Sequence, residues 1–260
     1  MRRALALLAV LLLPALAAAQ AVDVRAEFLS LHEARDDAGL KELWRAHPGR
    51  ILVTIDADLE EGLALWEKGE ADGSATEAVV AEHYARALWG ARLASEATGR
   101  PIFVDYASAF VGWTDEQKLS FRAGQQAFGR ARQAFGEGEH EDAVEAGREC
   151  TELALPLGDW WGTAMGLSIE ASALLAAGEA DDAVTAAGRA RLIYHQLGLV
   201  GSERAALDTL VEALVTLKRW PRARVSAEAG LALARTMNDE EAIARLEQHL
   251  DTIAAALGED

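Results

Sequence analysis

The 260-residue sequence has one cysteine, five prolines and no tract rich in serine, glycine or proline. A single cysteine excludes a disulfide framework, a cysteine-based zinc site and a thioredoxin-type pair within the chain. Cations are also scarce, because 25 Lys and Arg stand against 42 Asp and Glu and give a formal net charge of −17 at pH 7. Nucleic acids are therefore disfavoured as partners, since they bind basic surfaces. The hydrophobic content of 51% instead favours a folded chain with a substantial core.

The first twenty residues have the three parts of a secretory signal peptide. A positive start at residues 1–3 precedes a ten-residue apolar run at residues 4–13, and small residues at 17–19 follow. The run is shorter than the ~20 residues that a membrane span needs, and no second such run follows it. We therefore expect export to the periplasm or the extracellular space, cleavage after Ala19, and no membrane insertion of the remaining chain.

The C-terminal half of the sequence repeats with a period of forty residues. Residues 138–144, 178–184 and 218–224 align in register, each at a turn before a helical pattern. A period of this length indicates stacked supersecondary units. Each unit predicts an A helix, a tight turn and a B helix, which in the middle copy are residues 159–177, the turn at Gly178, and residues 181–197. Glycine suits such a turn because it adopts positive φ freely.

Several repeated positions carry a family resemblance. The Gly-Glu-x-x-x-Ala turn, the A-helix leucines Leu167 and Leu207, and the small residues Ala131 and Ala171 resemble the tetratricopeptide repeat in its 40-residue, kinesin-light-chain-like form. The aromatic positions of that family are mostly filled here by Ala, Leu or Gly. The resemblance implies an all-α fold, a right-handed α-solenoid of stacked antiparallel helix pairs, with three repeats and a C-terminal capping helix at residues 116–258. It also implies a scaffold that binds a protein or peptide.

Residues 22–115 are predicted to form an N-terminal helical region. Apolar spacing indicates a helical hairpin that is broken at residues 36–37 and ends at residues 47–49. The run at residues 51–55 could form a strand, but no partner strand is visible, so we predict a helix. Extending the repeat register backwards leaves open a degenerate extra repeat at residues 78–115.

The family pattern places certain A-helix side chains in a concave groove. These candidate partner-binding residues are Gln125, Phe128 and Arg132, then Met165, Ser168 and Ser172, then Asp208 and Glu212. Lys and Asn, with which related families hold C-terminal carboxylates, are absent from these positions. We therefore expect a different class of protein or peptide partner.

Two adjacent tryptophans, Trp160 and Trp161, interrupt the repeat pattern. The equivalent positions in the other copies are residues 200–201, Val-Gly, and residues 240–241, Glu-Glu. An exposed tryptophan is a typical interface anchor, so both are candidate binding residues. The alternative is that one packs on the neighbouring B helix and the other lies flat on the surface.

The residue patterns that resemble a catalytic or metal site have structural explanations instead. Asp56, Asp58 and Glu60 imitate the start of a calcium loop, but Glu61 stands where such a loop needs glycine. Cys150 falls on a position occupied by small residues in the other copies, which predicts a buried packing residue. We therefore predict a non-catalytic scaffold or adaptor of the cell envelope, without cofactor or metal.

Two alternatives remain open. The chain could be a structural subunit that self-associates into a homo-oligomer through the repeats. It could also be an enzyme whose N-terminal helices form a hydrolase or metal site. In the latter case two of His32, His47 and His83 should lie within ligand distance of one another.

Overall fold

The computed structural model describes residues 23–72 and 77–259, and this part of the chain forms α-helices and short 3₁₀ turns without a strand. The all-α prediction is therefore confirmed for the described residues. The predicted signal peptide at residues 1–19 lies outside them. None of the described helices is both long enough and apolar enough to cross a membrane.

Five helices form what we call the N-terminal block. They are α1 (Val24–Ala34), α2 (Asp37–Ala46), α3 (Ile51–Asp72), α4 (Glu77–Thr98) and α5 (Ile102–Val111). The predicted break between α1 and α2 is confirmed, because the Asp36 carboxylate accepts a hydrogen bond from the Gly39 amide at 2.9 Å and caps α2. Ile51 begins a helix, so the choice of helix over strand at residues 51–55 is also confirmed.

Seven further helices form the repeat region. They are α6 (Asp115–Glu137), α7 (His140–Ala154), α8 (Trp160–Ala176), α9 (Ala180–Leu197), α10 (Val200–Thr216), α11 (Trp220–Met237) and α12 (Glu240–Leu257). The forty-residue period appears directly in the helix starts, at 140, 180 and 220 for the B helices and at 160, 200 and 240 for the last three A helices. From α8 to α12, each helix is joined to the next by a linker of two or three residues, so consecutive helices run antiparallel.

The repeat region packs in sequence order. Each helix from α6 to α12 contacts the next, and α6, α8, α10 and α12 also contact one another in series. Small residues at the contacts, such as Ala143, Ala183 and Ala223, are fully buried and allow close approach of the helices. The A helices therefore lie side by side, with the B helices packed against them.

The N-terminal block covers the first two loops that join one repeat to the next, and we call this contact surface the junction. The Trp113 indole donates a hydrogen bond to the Leu157 carbonyl at 2.9 Å, and Arg100 donates to the His195 carbonyl at 3.1 Å. Gly198 has φ of 71°, and a Cβ there would lie 3.4 Å from the Pro48 carbonyl oxygen. This combination of positive φ and close approach requires glycine.

Two hydrophobic clusters meet at the junction. One belongs to the N-terminal block and includes Leu157 and Leu197 from the inter-repeat loops, while the other belongs to the repeat helices from Ala143 to Ile253. The third inter-repeat loop is left uncovered, and Met237 there is 42% exposed. The block is thus seated on the first two repeats.

Candidate groove, junction and tryptophan pair

The candidate groove residues share the surface of the A helices. Three lie on α6, three on α8 and two on α10, and all eight are half-buried or exposed: Gln125, Phe128, Arg132, Met165, Ser168, Ser172, Asp208 and Glu212. Neighbouring positions on the same helices, including Ala127, Leu167 and Val211, are buried in the core. The helices therefore divide between a core face and a face available for contact.

A narrow crevice opens at the start of this groove. Three of the candidate residues, Gln125, Phe128 and Met165, line it together with Phe121, Gly124, Cys150, Ala154, Asp159 and Gly162. Its volume of about 20 Å³ suits one water molecule rather than a side chain. The crevice is mostly apolar, with the Asp159 carboxyl as its acidic wall.

The other groove residues are held by local contacts. The Arg132 guanidinium lies 6.0 Å from the centre of the Phe128 ring, and the Ser172 hydroxyl donates to the Ser168 carbonyl at 3.2 Å. On α10, Asp208 forms ion pairs with Arg204 and, at 2.6 Å, with Arg245 of α12. The Asp208 carboxylate is thus already paired, whereas Glu212 is exposed.

Cys150 is one of the residues that line the crevice. Its thiol contacts the Gly162 carbonyl oxygen at 3.6 Å and is 2% exposed. Burial raises the pKa of this thiol to about 12, and the nearby charges of Asp159 and Glu149 add to the effect. The prediction of a buried cysteine is confirmed, and a protonated thiol is a poor nucleophile.

An ion-pair network joins α3 to α6 beside the crevice. Arg122 donates to Glu67 at 2.7 and 3.1 Å and to Glu60 at 2.7 Å. The Gln125 amide donates to Glu60 at 2.6 Å, so one of the groove residues is bonded to the N-terminal block. Lys118 completes the contact, with its ammonium 4.0 Å from the centre of the Trp66 ring.

Two further carboxyls lie in the junction, and neither accepts a hydrogen bond from a cation of the described residues. The Tyr106 hydroxyl donates to Asp56 at 2.6 Å, and the Gly162 amide donates to Asp159 at 2.8 Å. Burial raises the pKa of Asp56 to about 7, although the bond from Tyr106 opposes this, and the charges of Glu60 and Asp159 add to the rise. Burial likewise raises the pKa of Asp159 to about 6.

Asp58 occupies the centre of the N-terminal block and is fully buried. Arg25 donates to its two oxygens at 2.6 and 2.8 Å, and Arg86 donates at 2.9 and 2.5 Å. Burial by itself raises the pKa of Asp58, but the bonds and charges of the two arginines outweigh burial and lower it. The carboxylate therefore ties α1 and α4 to α3.

One group of three residues in the described chain has the closeness of metal ligands: Asp58, Glu61 and His83. It contains neither His32 nor His47. The Asp58 oxygens in it already accept bonds from two guanidinium groups, which would repel a metal cation. We therefore interpret this cluster as a structural ion-pair network.

Both tryptophans of the pair are half-buried. Trp160 packs against the N-terminal cluster, and Trp161 packs against both clusters. Their position is explained by the N-terminal block, which covers the loop just before α8. Residues 200–201, which are Val-Gly, and residues 240–241, which are Glu-Glu, occupy the equivalent places at the starts of α10 and α12.

No protein-family model matches the chain, and no curated protein is significantly similar to it.

Sequence reasoning missed three residues that shape the site: Asp159, Arg122 and Glu60. Asp159 carried a weak signal, because it occupies the N-cap position before α8. Arg122 carried none, and Glu60 was noticed only in the calcium-loop pattern. The two are 62 residues apart in the chain and meet only when α3 lies beside α6.

Proposed function

We propose that the protein is a non-catalytic scaffold of the tetratricopeptide type that holds a protein or peptide segment along the exposed face of α6, α8 and α10. The observation that supports this best is the arrangement of the eight candidate residues. None of them is fully buried, and they lie on helices that contact one another in series.

The proposed architecture is a right-handed α-solenoid. Its support is the constant forty-residue spacing of the helix starts together with contacts between every second helix. Such arrays present extended surfaces that suit long, flexible partners. Nucleic acid is an unfavourable partner because of the net charge of −17.

The chemistry of the proposed groove favours a mixed ligand. Phe128 and Met165 supply apolar area at the crevice, Arg132 supplies a cation, and the serines of α8 supply hydrogen-bonding groups. Because the crevice is no larger than a water molecule, a bound side chain needs Phe128 and Met165 to shift. Both side chains are half-buried and apolar, so such a shift breaks no side-chain hydrogen bond and costs little free energy.

Stacking end to end into a homo-oligomer is the less favoured alternative. The outer face of α12 carries Glu247, Gln248, Asp251 and Thr252, all exposed. A polar outer face is typical of a capping helix and disfavours stacking of a second array on it. We propose export to the periplasm or beyond on the basis of the N-terminal sequence.

A peptide selection tests the proposal. Random peptides are selected on the intact protein, and the affinities of the enriched ones are measured by fluorescence anisotropy. We expect Phe128→Ala and Met165→Ala to weaken binding by roughly tenfold or more, as hot-spot residues do. The matched control is Leu192→Ala, which removes a 58% exposed side chain of α9 outside the groove.

Peptides that bind equally well to all of these variants would place the binding surface elsewhere. Failure to enrich any peptide would contradict the scaffold proposal itself.

A further inference from the structure

Equivalent positions of the three repeats, forty residues apart, form a row across the A helices. They are Arg132 on α6, Ser172 on α8 and Glu212 on α10. Each directly follows a buried core residue of its own helix, so the three side chains leave their helices in the same direction, towards the proposed groove. The row therefore places a cation on the first helix, a hydroxyl on the second and an anion on the third.

Neither charge of this row is paired within the part of the chain that the structure describes. Arg132 and Glu212 are both exposed, and neither side chain forms an ion pair or a hydrogen bond there. The Arg132 guanidinium lies 6.0 Å from the centre of the Phe128 ring. Arg245 of α12, whose charge acts on Glu212, bonds to Asp208 at 2.6 Å instead. Both charges of the row are therefore available to a partner.

The helix between the two charges, α8, presents no charge to the groove. Its one charged side chain, Glu170, bonds to Arg148 of α7 at 2.8 Å. Its groove positions are the half-buried residues Met165, Ser168 and Ser172. A partner side chain that lies over α8 loses water without meeting an opposite charge, and burial of an unpaired charge is costly. Uncharged partner residues are therefore favoured over α8.

Helix packing sets the separation of the two charges. Helix α6 contacts α8, and α8 contacts α10. Packed helices have axes about 8–10 Å apart, so α6 and α10 are separated by about 16–20 Å. An extended peptide advances ~3.3 Å per residue and covers this span in about five or six residues. A spacing of about six keeps both partner side chains on the same side of the extended chain, because side chains alternate along it.

We propose that the groove selects an extended peptide segment with an acidic and a basic residue about six positions apart and uncharged residues between them. The acidic residue pairs with Arg132 and the basic residue pairs with Glu212, while the residues between them lie over α8. This inference rests on the proposed groove function and specifies the class of its partner. Exposed ion pairs add little affinity, but they fix the register of the segment because like charges placed opposite each other repel.

A uniformly basic segment is the alternative that the net charge of −17 would favour. Such a segment would place a cation against Arg132. The net charge acts on the whole surface, whereas the row acts at two defined positions, so the two cases differ in their response to charge placement within a peptide.

Exchange of charges in the protein and in the peptide tests the inference. Peptides selected on the intact protein should share the predicted charge pattern. One of them is then compared with a counterpart in which the acidic and the basic residue have exchanged places, and both affinities are measured by fluorescence anisotropy at low salt. On the native protein we expect the original peptide to bind roughly fivefold or more tightly than its counterpart. On the double variant Arg132→Glu with Glu212→Arg, the counterpart should bind more tightly.

The matched control exchanges charges outside the groove. Arg235 of α11 and Glu247 of α12 form an exposed ion pair at 2.9 Å, so Arg235→Glu with Glu247→Arg keeps the pair and should keep the native preference between the two peptides. The groove variant should retain the native melting temperature, because both of its substituted residues are exposed and unpaired among the described residues. Raising the salt concentration to roughly 0.5 M should weaken the preference, since exposed charges are then screened.

Equal affinity of the two peptides for the native protein would overturn the inference and leave the groove function intact. Selected peptides that are uniformly basic, or a groove variant that keeps the native preference, would do the same. Failure to enrich any peptide would instead contradict the groove function, so the two failures are distinguishable.

Discussion

Gly166 of α8 lies so close to Gly147 of α7 that a Cβ on Gly166 would be 2.8 Å from the Gly147 carbonyl oxygen. A Cβ on Gly147 would in turn lie 3.2 Å from the Gly166 carbonyl oxygen. The two helices thus meet backbone to backbone, and the missing side chains set the spacing of α7 and α8. The position of the next two helices, α9 and α10, depends on this spacing.

Gly166→Ala should therefore be destabilising. The added carbon meets backbone atoms that cannot rotate away, so we expect a loss of about 1–3 kcal/mol in the free energy of unfolding, measured in urea. The matched control is Gly188→Ala on α9, where nothing beyond the adjoining residues and the helix's own backbone lies within 4 Å of the added carbon. That change should stabilise the protein by ~0.5–1 kcal/mol through helix propensity. Equal stabilisation by both would mean that α7 and α8 are further apart.

Trp161→Ala should reduce stability because the indole packs on both hydrophobic clusters. We expect a loss of about 2–4 kcal/mol, somewhat below that of a fully buried tryptophan. Leu192→Ala, at an exposed site, should change the free energy of unfolding by less than ~0.5 kcal/mol. A Trp161→Ala variant that keeps the native melting temperature but loses peptide affinity would instead show that Trp161 is an interface anchor.

Asp58→Asn should destabilise the N-terminal block. The change removes the carboxylate that Arg25 and Arg86, both mostly buried, share, and leaves them only the longer ion pairs with Glu61 and Glu82. We expect a cost of about 2–4 kcal/mol. Asp181→Asn, at an exposed ion pair with Arg219, should be close to neutral.

The pH dependence gives a second check on Asp58. The pKa of Asp58 is lowered in the folded state, so the stability that it provides is present above its unfolded pKa of about 4 and is lost as the pH falls below that value. The Asn variant should therefore lose less stability than the native protein on acidification, as measured by thermal unfolding. A difference between the two that stays constant from neutral to acidic pH would contradict the ion-pair role.

Asp56→Asn should have the opposite pH signature. The folded pKa of about 7 lies above the unfolded value of about 4, so Asp56 favours folding at low pH and this contribution is lost as the pH rises towards 7. At pH 8 the native protein must keep an ionised carboxylate in the junction. The Asn variant, which can still accept the Tyr106 bond, should be more stable there by about 2 kcal/mol or more. Equal stability of the two proteins at pH 8 would show that the junction already solvates the charge.

The repeats were predictable from the sequence because their contacts are local. The forty-residue period, the glycines at Gly138, Gly178 and Gly198 with positive φ, and the helix starts all follow from patterns within one or two units. The third copy replaces glycine by Lys218 and Asn238, and both adopt the same left-handed conformation. The backbone conformation at these turns therefore follows the forty-residue period even where the residue is not glycine.

The place of the N-terminal block was decided by tertiary structure. Arg122 bonds to Glu60, which is 62 residues away in the sequence, and Arg100 bonds to the His195 carbonyl, which is 95 residues away. The periodic pattern of the sequence does not predict contacts at these separations. The same docking half-buries Trp160, Trp161 and Asp56 and buries Asp159. From the sequence alone the repeat pattern, the acidic charge and the candidate groove residues could be inferred. Burial, which raises the pKa of the N-cap residue Asp159 to about 6, depends on what packs over that residue, and only the folded chain supplies it.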